Sequence, residues 1–188
     1  MAGGVKTTDG KDKRKRGLQP RPRRRSWQAV RMKIEAATNA DLPRLLEVWE
    51  SAVRATHHFL EEADIQMFRP LVRDGYLPSA ERLAVARAGD GQPCGFVGAE
   101  AGKVEMLFVD PAHHGTGAGK ALLRHAIESW GARRVDVNEQ NPGAVGFYLH
   151  MGFELESRSE RDGLGKPFPL LHLRLSEGRT ETVGRKTR

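Results

Sequence analysis

Apolar positions along the middle of the chain recur with two different periods, and the switches between them divide it into elements. Lys33, Ile34, Glu35 and Ala36 read as a first short strand. Thr38-Asn39-Ala40-Asp41 then resembles a capping box with Asp in place of Glu. Leu42, Leu45, Leu46, Trp49, Ala52 and Val53 follow at helical spacing and predict a first amphipathic helix. A weaker helical pattern covers 61–73, with Ile65, Phe68, Leu71 and Val72 inward and Pro70 kinking or dividing it. Between the two, residues 55–60 are too apolar for a plain loop.

The period then falls to two. Strands are expected at 83–87, 95–100 and 104–109, joined by the turn signals Gly89-Asp90-Gly91 and Ala101-Gly102, so these neighbours should be antiparallel. Pro111 stops the last of them, a glycine-rich turn follows, and Ala121, Leu122, Ala126, Ile127 and Trp130 mark the inner face of a third helix ending at Gly131. A strand at 134–137, a short helix at 142–151 and strands at 153–159 and 170–175 complete the pattern, without internal repeats. The result is a mixed α/β sheet in which a strand, helix, strand crossover makes the strands at Val104 and Arg134 parallel, with a cleft where their ends diverge.

The turn His114-Gly115-Thr116-Gly117-Ala118-Gly119 lies between a strand and a helix, where glycines let backbone N–H groups converge on an anion at the positive end of the helix dipole. A diphosphate is the natural guest. The P-loop pattern fails here, because its first glycine would be His114 and its hydroxyl residue is Ala121. The dinucleotide fingerprint fails as well, since its third glycine would be Lys120. A glycine-rich helix start that simply packs tightly remains the alternative.

Charge changes the picture only at the ends. The 188 residues carry a net +7, yet residues 1–33 hold 12 Lys and Arg against two Asp, and 178–188 hold four against one Glu. That leaves 15 basic and 21 acidic residues in 34–177, a net of −6. Residues 1–31 read as a disordered basic extension, 32–177 as the folded domain and 178–188 as a disordered basic tail. The first stretch admits two further readings, an arm for nucleic acid and, since folding signals begin just after Met32, an extension outside the native protein. No apolar run or leader suggests a membrane or secretion, and the single Cys94 allows no internal disulfide, so a reducing cytoplasm is expected. The seven histidines show no metal-ligand spacing, and no metal is expected.

Leu107-Phe108-Val109-Asp110-Pro111, the glycine turn and the run from Asn141 through Pro142, Phe147, Tyr148 and Gly152 to Phe153 together resemble the GNAT acetyltransferase superfamily in order and spacing. Ala55-Thr56-His57, residues 137–141 and residues 165–171 place the likeness nearest a bacterial YjaB-like branch. It covers about 34–175. The resemblance implies a mixed, mostly antiparallel sheet of six to seven strands with helices on both faces and a splayed parallel pair holding coenzyme A. It implies an N-acetyltransferase that moves an acetyl group from acetyl-CoA to a primary amine, on a small molecule or a protein, as a monomer or homodimer. The competing reading is a nucleic-acid-associated protein that senses acetyl-CoA and docks through the basic tail; nucleic acid is not the expected partner.

Acetyl transfer needs a neutral amine, a polarised thioester carbonyl and a proton for the departing thiolate. By the resemblance, Leu107 and Val109 offer main-chain groups to the thioester and pantetheine, and Gly115, Thr116, Gly117, Ala118 and Gly119 hold the pyrophosphate. His114 stands where the family usually has Gln or Arg, which implies weaker or pH-dependent coenzyme affinity. Tyr148 matches the tyrosine that protonates the sulfur in many relatives, with Phe147 assigned to the core of its helix. Asn141 matches a coenzyme-contacting asparagine, and an N-cap before Pro142 explains it equally well. Lys120 and Arg124 are candidates for phosphates or plain helix charges. Glu105 shares a strand face with Lys103 by alternation and is a base candidate or an ordinary ion-pair partner. His57 is read as contacting the acceptor substrate or packing a helix end.

Overall fold

The computed structural model describes residues 32–176, so the readings for 1–31 and 178–188 lie outside the described residues. In chain order the elements are β1 (Lys33–Ala36), α1 (Leu42–Thr56), α2 (Glu62–Leu71), a π turn (Val72–Tyr76), α3 (Leu77–Ser79), β2 (Arg82–Arg87), β3 (Pro93–Glu100), β4 (Lys103–Val109), a 3-10 turn (Pro111–His113), α4 (Ala118–Trp130), β5 (Arg134–Asn138), α5 (Pro142–His150), β6 (Phe153–Ser159) and β7 (Leu170–Leu175). The strands form a seven-stranded sheet in the order β1-β2-β3-β4-β5-β7-β6. Only β4 and β5 run parallel, and every other neighbouring pair is antiparallel.

Helices cover both faces because the strands of the middle of the sheet are apolar on both sides. On one face α4 presses Leu122, Leu123 and Ala126 onto Ala84, Val97, Val104 and Val135. On the other, Leu45, Val48, Trp49 and Val53 of α1 meet Val85, Phe96 and Met106, joined by Ile65 and Val72. Burying a side chain of this size contributes about 1.5–3 kcal/mol. Gly95 permits the close approach of β3, β4 and α4, for a Cβ there would stand 3.0 Å from the Phe108 carbonyl oxygen and 3.2 Å from Leu122.

Two helix boundaries depart from the sequence expectation. Thr38 and Asp41 form half of a capping box: the Thr38 N–H and hydroxyl donate to Asp41 at 2.9 and 2.8 Å. Residues 38–41 make a turn instead of a helical start, and α1 begins at Leu42 with Pro43 in its first turn. Asp41 serves Arg87 as well, at 3.0 Å. The helical stretch after α1 continues to Ser79, beyond the expected end at 73. Pro70 lies inside α2, where the ladder lacks its N–H, and the helix passes into the π turn at Val72.

A bulge in the middle of the sheet positions the site. Gly98 pairs with Met106 and Ala99 with Val104, so Glu105 is the extra residue of β4. Bulges re-aim side chains. Here Val104 turns to the α4 core, whereas Glu105 and Met106 both reach the face toward α1 and α2.

Candidate active site

The parallel pairing of β4 and β5 ends almost as soon as it begins, with Lys103 opposite Arg134 and Val104 opposite Val135. Past that point β4 runs on to Val109 and β5 to Asn138 with a gap between them. The Asp110 N–H donates to Cys94 of β3 at 2.8 Å. Main-chain polar groups alternate sides along a strand, so those of Leu107 and Val109 turn to the gap. Their side chains pack on the α4 core. A split pair with open backbone groups on one edge is the arrangement the sequence reading expected.

The glycine turn begins where β4 ends. Asp110 fixes the departure: it accepts the Ala112 N–H at 3.0 Å and the Arg44 guanidinium from α1 at 2.6 Å. Burial opposes the Asp110 charge, but these hydrogen bonds outweigh it and hold its carboxyl below the usual carboxylate range. Gly115 and Gly117 adopt φ of 74° and 90°, with open space where a Cβ would stand. Only glycine takes this backbone without strain. The Thr116 N–H and hydroxyl both turn back to the His113 carbonyl, at 3.4 and 2.7 Å, and the Ala121 N–H reaches Gly117 at 2.9 Å. The amides of Ala118, Gly119 and Lys120, in the first turn of α4, have no carbonyl within the helix to receive them. Together with the helix dipole they make a fitting cradle for a diphosphate. His113 Nδ1 is buried without a partner beside the turn, and Lys120 and Arg124 stand exposed on α4.

His114 lays its ring over the open edge of β4, Nε2 being 3.1 Å from the Val109 carbonyl oxygen. Across the gap, Asn141 caps α5 by accepting the Ala144 N–H at 3.1 Å. The capping alternative is therefore correct for its Oδ1, and its amide NH2 is what remains for a coenzyme arm. Tyr148 is the buried residue of α5 at 6% exposure, edge-on to Phe147 and Phe153 at 5.2 and 5.7 Å between ring centres. The sequence reading gave the core role to Phe147. That is corrected: Phe147 is only partly buried, against the α4 side of the core. The α5 sequence is apolar almost all round, so periodicity alone does not say which face turns in. Burial pushes the Tyr148 hydroxyl well above its ordinary pKa, and it stays a proton donor at any physiological pH.

On the opposite face lies a cavity of about 620 Å³, walled by α1, α2, the sheet and the β6–β7 loop. His57 and Glu105 both line it. His57 turns inward beside Phe59 and Phe108, while His58 is exposed. Burial, with a smaller contribution from His58, lowers the His57 pKa to about 4, so its imidazole is neutral. Hydrogen-bond accounting fixes its tautomer. The Thr56 hydroxyl donates its one proton to the Ala52 carbonyl at 2.8 Å, hence at 2.9 Å from His57 Nδ1 it accepts. Nδ1 carries the hydrogen, and Nε2 keeps its lone pair.

Lys103, and residues that the sequence reading did not single out, complete this wall. Lys103 Nζ lies 3.1 Å from Glu105 and 2.8 Å from Asp136. Burial disfavours its charge, yet these two carboxylates more than compensate and raise its pKa. Asp136 also meets His172 Nδ1 at 2.6 Å, and His172 Nε2 lies 2.6 Å from Ser159 Oγ. A trace of this was present in the sequence: Asp136 between two valines and His172 between two leucines are polar residues on the face opposite a core stripe. Among the described residues no group of three or more His, Cys, Asp or Glu could hold a metal ion, and no helix is long and apolar enough to cross a membrane.

The same architecture recurs in known proteins. Residues 79–155 match the acetyltransferase (GNAT) domain family. The peptidyl-lysine N-acetyltransferase YjaB of Salmonella typhimurium is 41% identical over 140 residues, which covers 74% of this chain and 95% of that protein. YjaB of Escherichia coli is 39% identical over 140 residues, covering 74% and 94%. The solution structure of apo-form YjaB from Escherichia coli superposes with a TM-score of 0.72 at 38% identity, over 78% of this chain and 99% of that one. The PaiA N-acetyltransferase of Thermoplasma acidophilum, solved in complex with coenzyme A, shares the fold at a TM-score of 0.59 and 21% identity, over 77% and 99%. Similarity of this extent, on a sheet that splits beside a glycine turn, makes the chain a member of the GNAT family and an acetyl-CoA-dependent N-acetyltransferase.

Proposed function

We propose that the acceptor is the side-chain amine of a lysine in a protein or peptide. The observation that carries this reading is that Glu105 and Asp136, in the acceptor cavity, already hold a lysine ammonium between them, that of Lys103. A wall able to hold one alkylammonium, with Glu100 and Asp162 adding negative charge nearby, attracts another. The relatives named peptidyl-lysine N-acetyltransferase support the same choice.

In this reading the main-chain groups of Leu107 and Val109 align the thioester arm in the gap. The turn from His114 to Gly119 takes the pyrophosphate, with Lys120 adding charge, and the Asn141 amide donates to the arm. His57 Nε2 accepts an N–H of the incoming amine, and Glu105 docks its ammonium and takes part in its deprotonation. The neutral nitrogen attacks the thioester carbonyl carbon directly, a C–N bond forms, and the C–S bond breaks. Tyr148 gives its proton to the sulfur, and the second proton that the nitrogen sheds as the amide forms restores the phenol. A buried, protonated phenol beside the leaving group and carboxylates on the acceptor side separate the acid and base work.

The test is coenzyme release and peptide mass spectrometry with acetyl-CoA, using peptides that carry an internal lysine, peptides with only a free N-terminal amine, and small amines. Acetylation of the internal lysine is the expected result. Turnover confined to small amines would move the acceptor class to small molecules.

A further inference from the structure

The wall of the acceptor cavity contains a hydrogen-bonded line of three side chains that the reaction as described leaves without a task. Asp136 of β5 stands opposite His172 of β7 in the antiparallel register. The register shift in β6 between Leu155 and Ser157 sets Ser157 opposite His172 and Ser159 two pairs further along, opposite Leu170. Asp136 Oδ1 and His172 Nδ1 are 2.6 Å apart, as are His172 Nε2 and Ser159 Oγ. All three residues line the cavity that His57 and Glu105 share.

The direction of each hydrogen bond follows from the groups. Burial opposes the Asp136 charge, but hydrogen bonds from Lys103 and His172 outweigh it and keep its carboxyl below the usual range. An ionised carboxylate only accepts, so His172 Nδ1 carries a hydrogen. In the neutral ring Nε2 is then a lone pair, and the Ser159 hydroxyl donates to it. The Ser159 oxygen retains its own lone pairs for a donor in the cavity.

We propose that Ser159, His172 and Asp136 form a proton-relay site for the acceptor ammonium, in which His172 takes up the proton and Asp136 is a positioning residue. This rests on the lysine reading above. In the step, an ammonium N–H bond breaks as its proton passes to Ser159 Oγ, while the original Ser159 proton passes to His172 Nε2. One proton has moved from nitrogen to imidazole, Ser159 is restored, and the amine lone pair is free. The positive charge that arrives on the imidazole lies against the Asp136 carboxylate, 2.6 Å from Nδ1.

Other charged and titratable groups share these walls. They are His57 at the end of α1, Tyr76 from the π turn, Glu100 of β3, and Arg161 and Asp162 of the β6–β7 loop. Arg174 follows on β7, with Arg134 and Glu154 opposite it.

The experiment is the pH–rate profile from pH 6 to 10 for acetylation of a lysine peptide and of ethylamine, on the whole protein and on His172→Gln, Asp136→Asn, Ser159→Ala and Glu105→Gln. Coenzyme A affinity is measured in parallel. His172→Gln should lose the limb that rises through neutrality and turn over about 100-fold more slowly at pH 7. It should approach the native rate only near the amine's own pKa, about 10.4, with coenzyme affinity unchanged. Asp136→Asn should slow turnover at pH 7, and Glu105→Gln should weaken peptide binding and lower the rate at every pH without removing the limb. An unchanged limb in His172→Gln overturns the relay and leaves the lysine reading standing; a His172-dependent limb seen with ethylamine alone does the reverse. Should His172→Gln fail to fold, Ser159→Ala carries the same test, with a loss of about tenfold expected. Acetyl-Ser159 found by mass spectrometry would overturn the relay by making that serine a nucleophile.

Discussion

His114 Nε2 lies 3.1 Å from the carbonyl oxygen of Val109, the last residue of the strand that borders the gap. A carbonyl only accepts, so Nε2 carries a hydrogen, and in the neutral ring Nδ1 is a lone pair. A lone pair repels phosphate, so the neutral ring offers the pyrophosphate no charge at the start of α4. His114→Arg places a permanent cation there and should bind coenzyme A about two- to fivefold more tightly, the size of a single charge at a helix terminus. Calorimetric titration of coenzyme A with both proteins checks this, and equal affinities would refute it.

Tyr148→Phe separates acid catalysis from packing. The ring sits among Phe147 and Phe153, and removing one oxygen leaves those contacts in place. We expect turnover to fall by about 100-fold or more, as for loss of a general acid, with coenzyme A affinity close to native. Because burial holds the hydroxyl protonated far above neutrality, Tyr148 adds no limb of its own between pH 6 and 10. Steady-state rates with a lysine peptide, alongside coenzyme binding, test both statements; undiminished turnover would exclude Tyr148 from the chemistry.

His57 ties function to acid stability. Its folded pKa of about 4 lies below the ordinary imidazole value of about 6.5 expected in the unfolded chain. Between those values the unfolded chain binds a proton that the native site refuses, so stability falls as the pH drops from about 6.5 and levels off below about 4. The full loss is about 3 kcal/mol. Several carboxylates with lowered pKa, Asp136 and Asp41 among them, lose stability in the same direction at lower pH. His57→Phe keeps a ring beside Phe59 and Phe108 and removes only the imidazole's share. Urea unfolding of both proteins at pH 7 and 4.5 should show a smaller acid loss in the variant.

The strand end, turn and helix start on the coenzyme side were legible because they are local. Pro111, three glycines at alternate positions and a helical stripe fall within 20 consecutive residues and mark them in order. The acceptor half was legible only in part. Alternation placed Lys103 and Glu105 on one face correctly, but a bulge has no sequence mark here, and nothing announced that Met106 joins them. Asp136, Ser159 and His172 come together through register on three strands, and sequence distance hides such a meeting. In α5 the apolar residues lie on every side, so the sequence could not show that Tyr148 and not Phe147 is the buried ring; the packing against Phe153 decides between them.

The hairpin between β3 and β4, which delivers Glu105 to the cavity, contains a correctable strain. Its two turn residues, Ala101 and Gly102, take φ of 47° and 79°. Positive φ at both positions is the type I′ pattern, which Asn-Gly fills well, whereas a left-handed alanine costs about 1–2 kcal/mol. Ala101→Asn should therefore raise stability by about 0.5–1 kcal/mol, and Gly102→Ala should lower it by at least as much. The Ala101 N–H donates to Glu81 at 3.3 Å, and both changes keep that donor. Since Lys103 is the next residue of the chain and already pairs with Glu105, a firmer turn should leave acetylation rates unchanged while the thermal midpoint moves. If Ala101→Asn unfolds at the native midpoint, the strain assigned to this turn is absent.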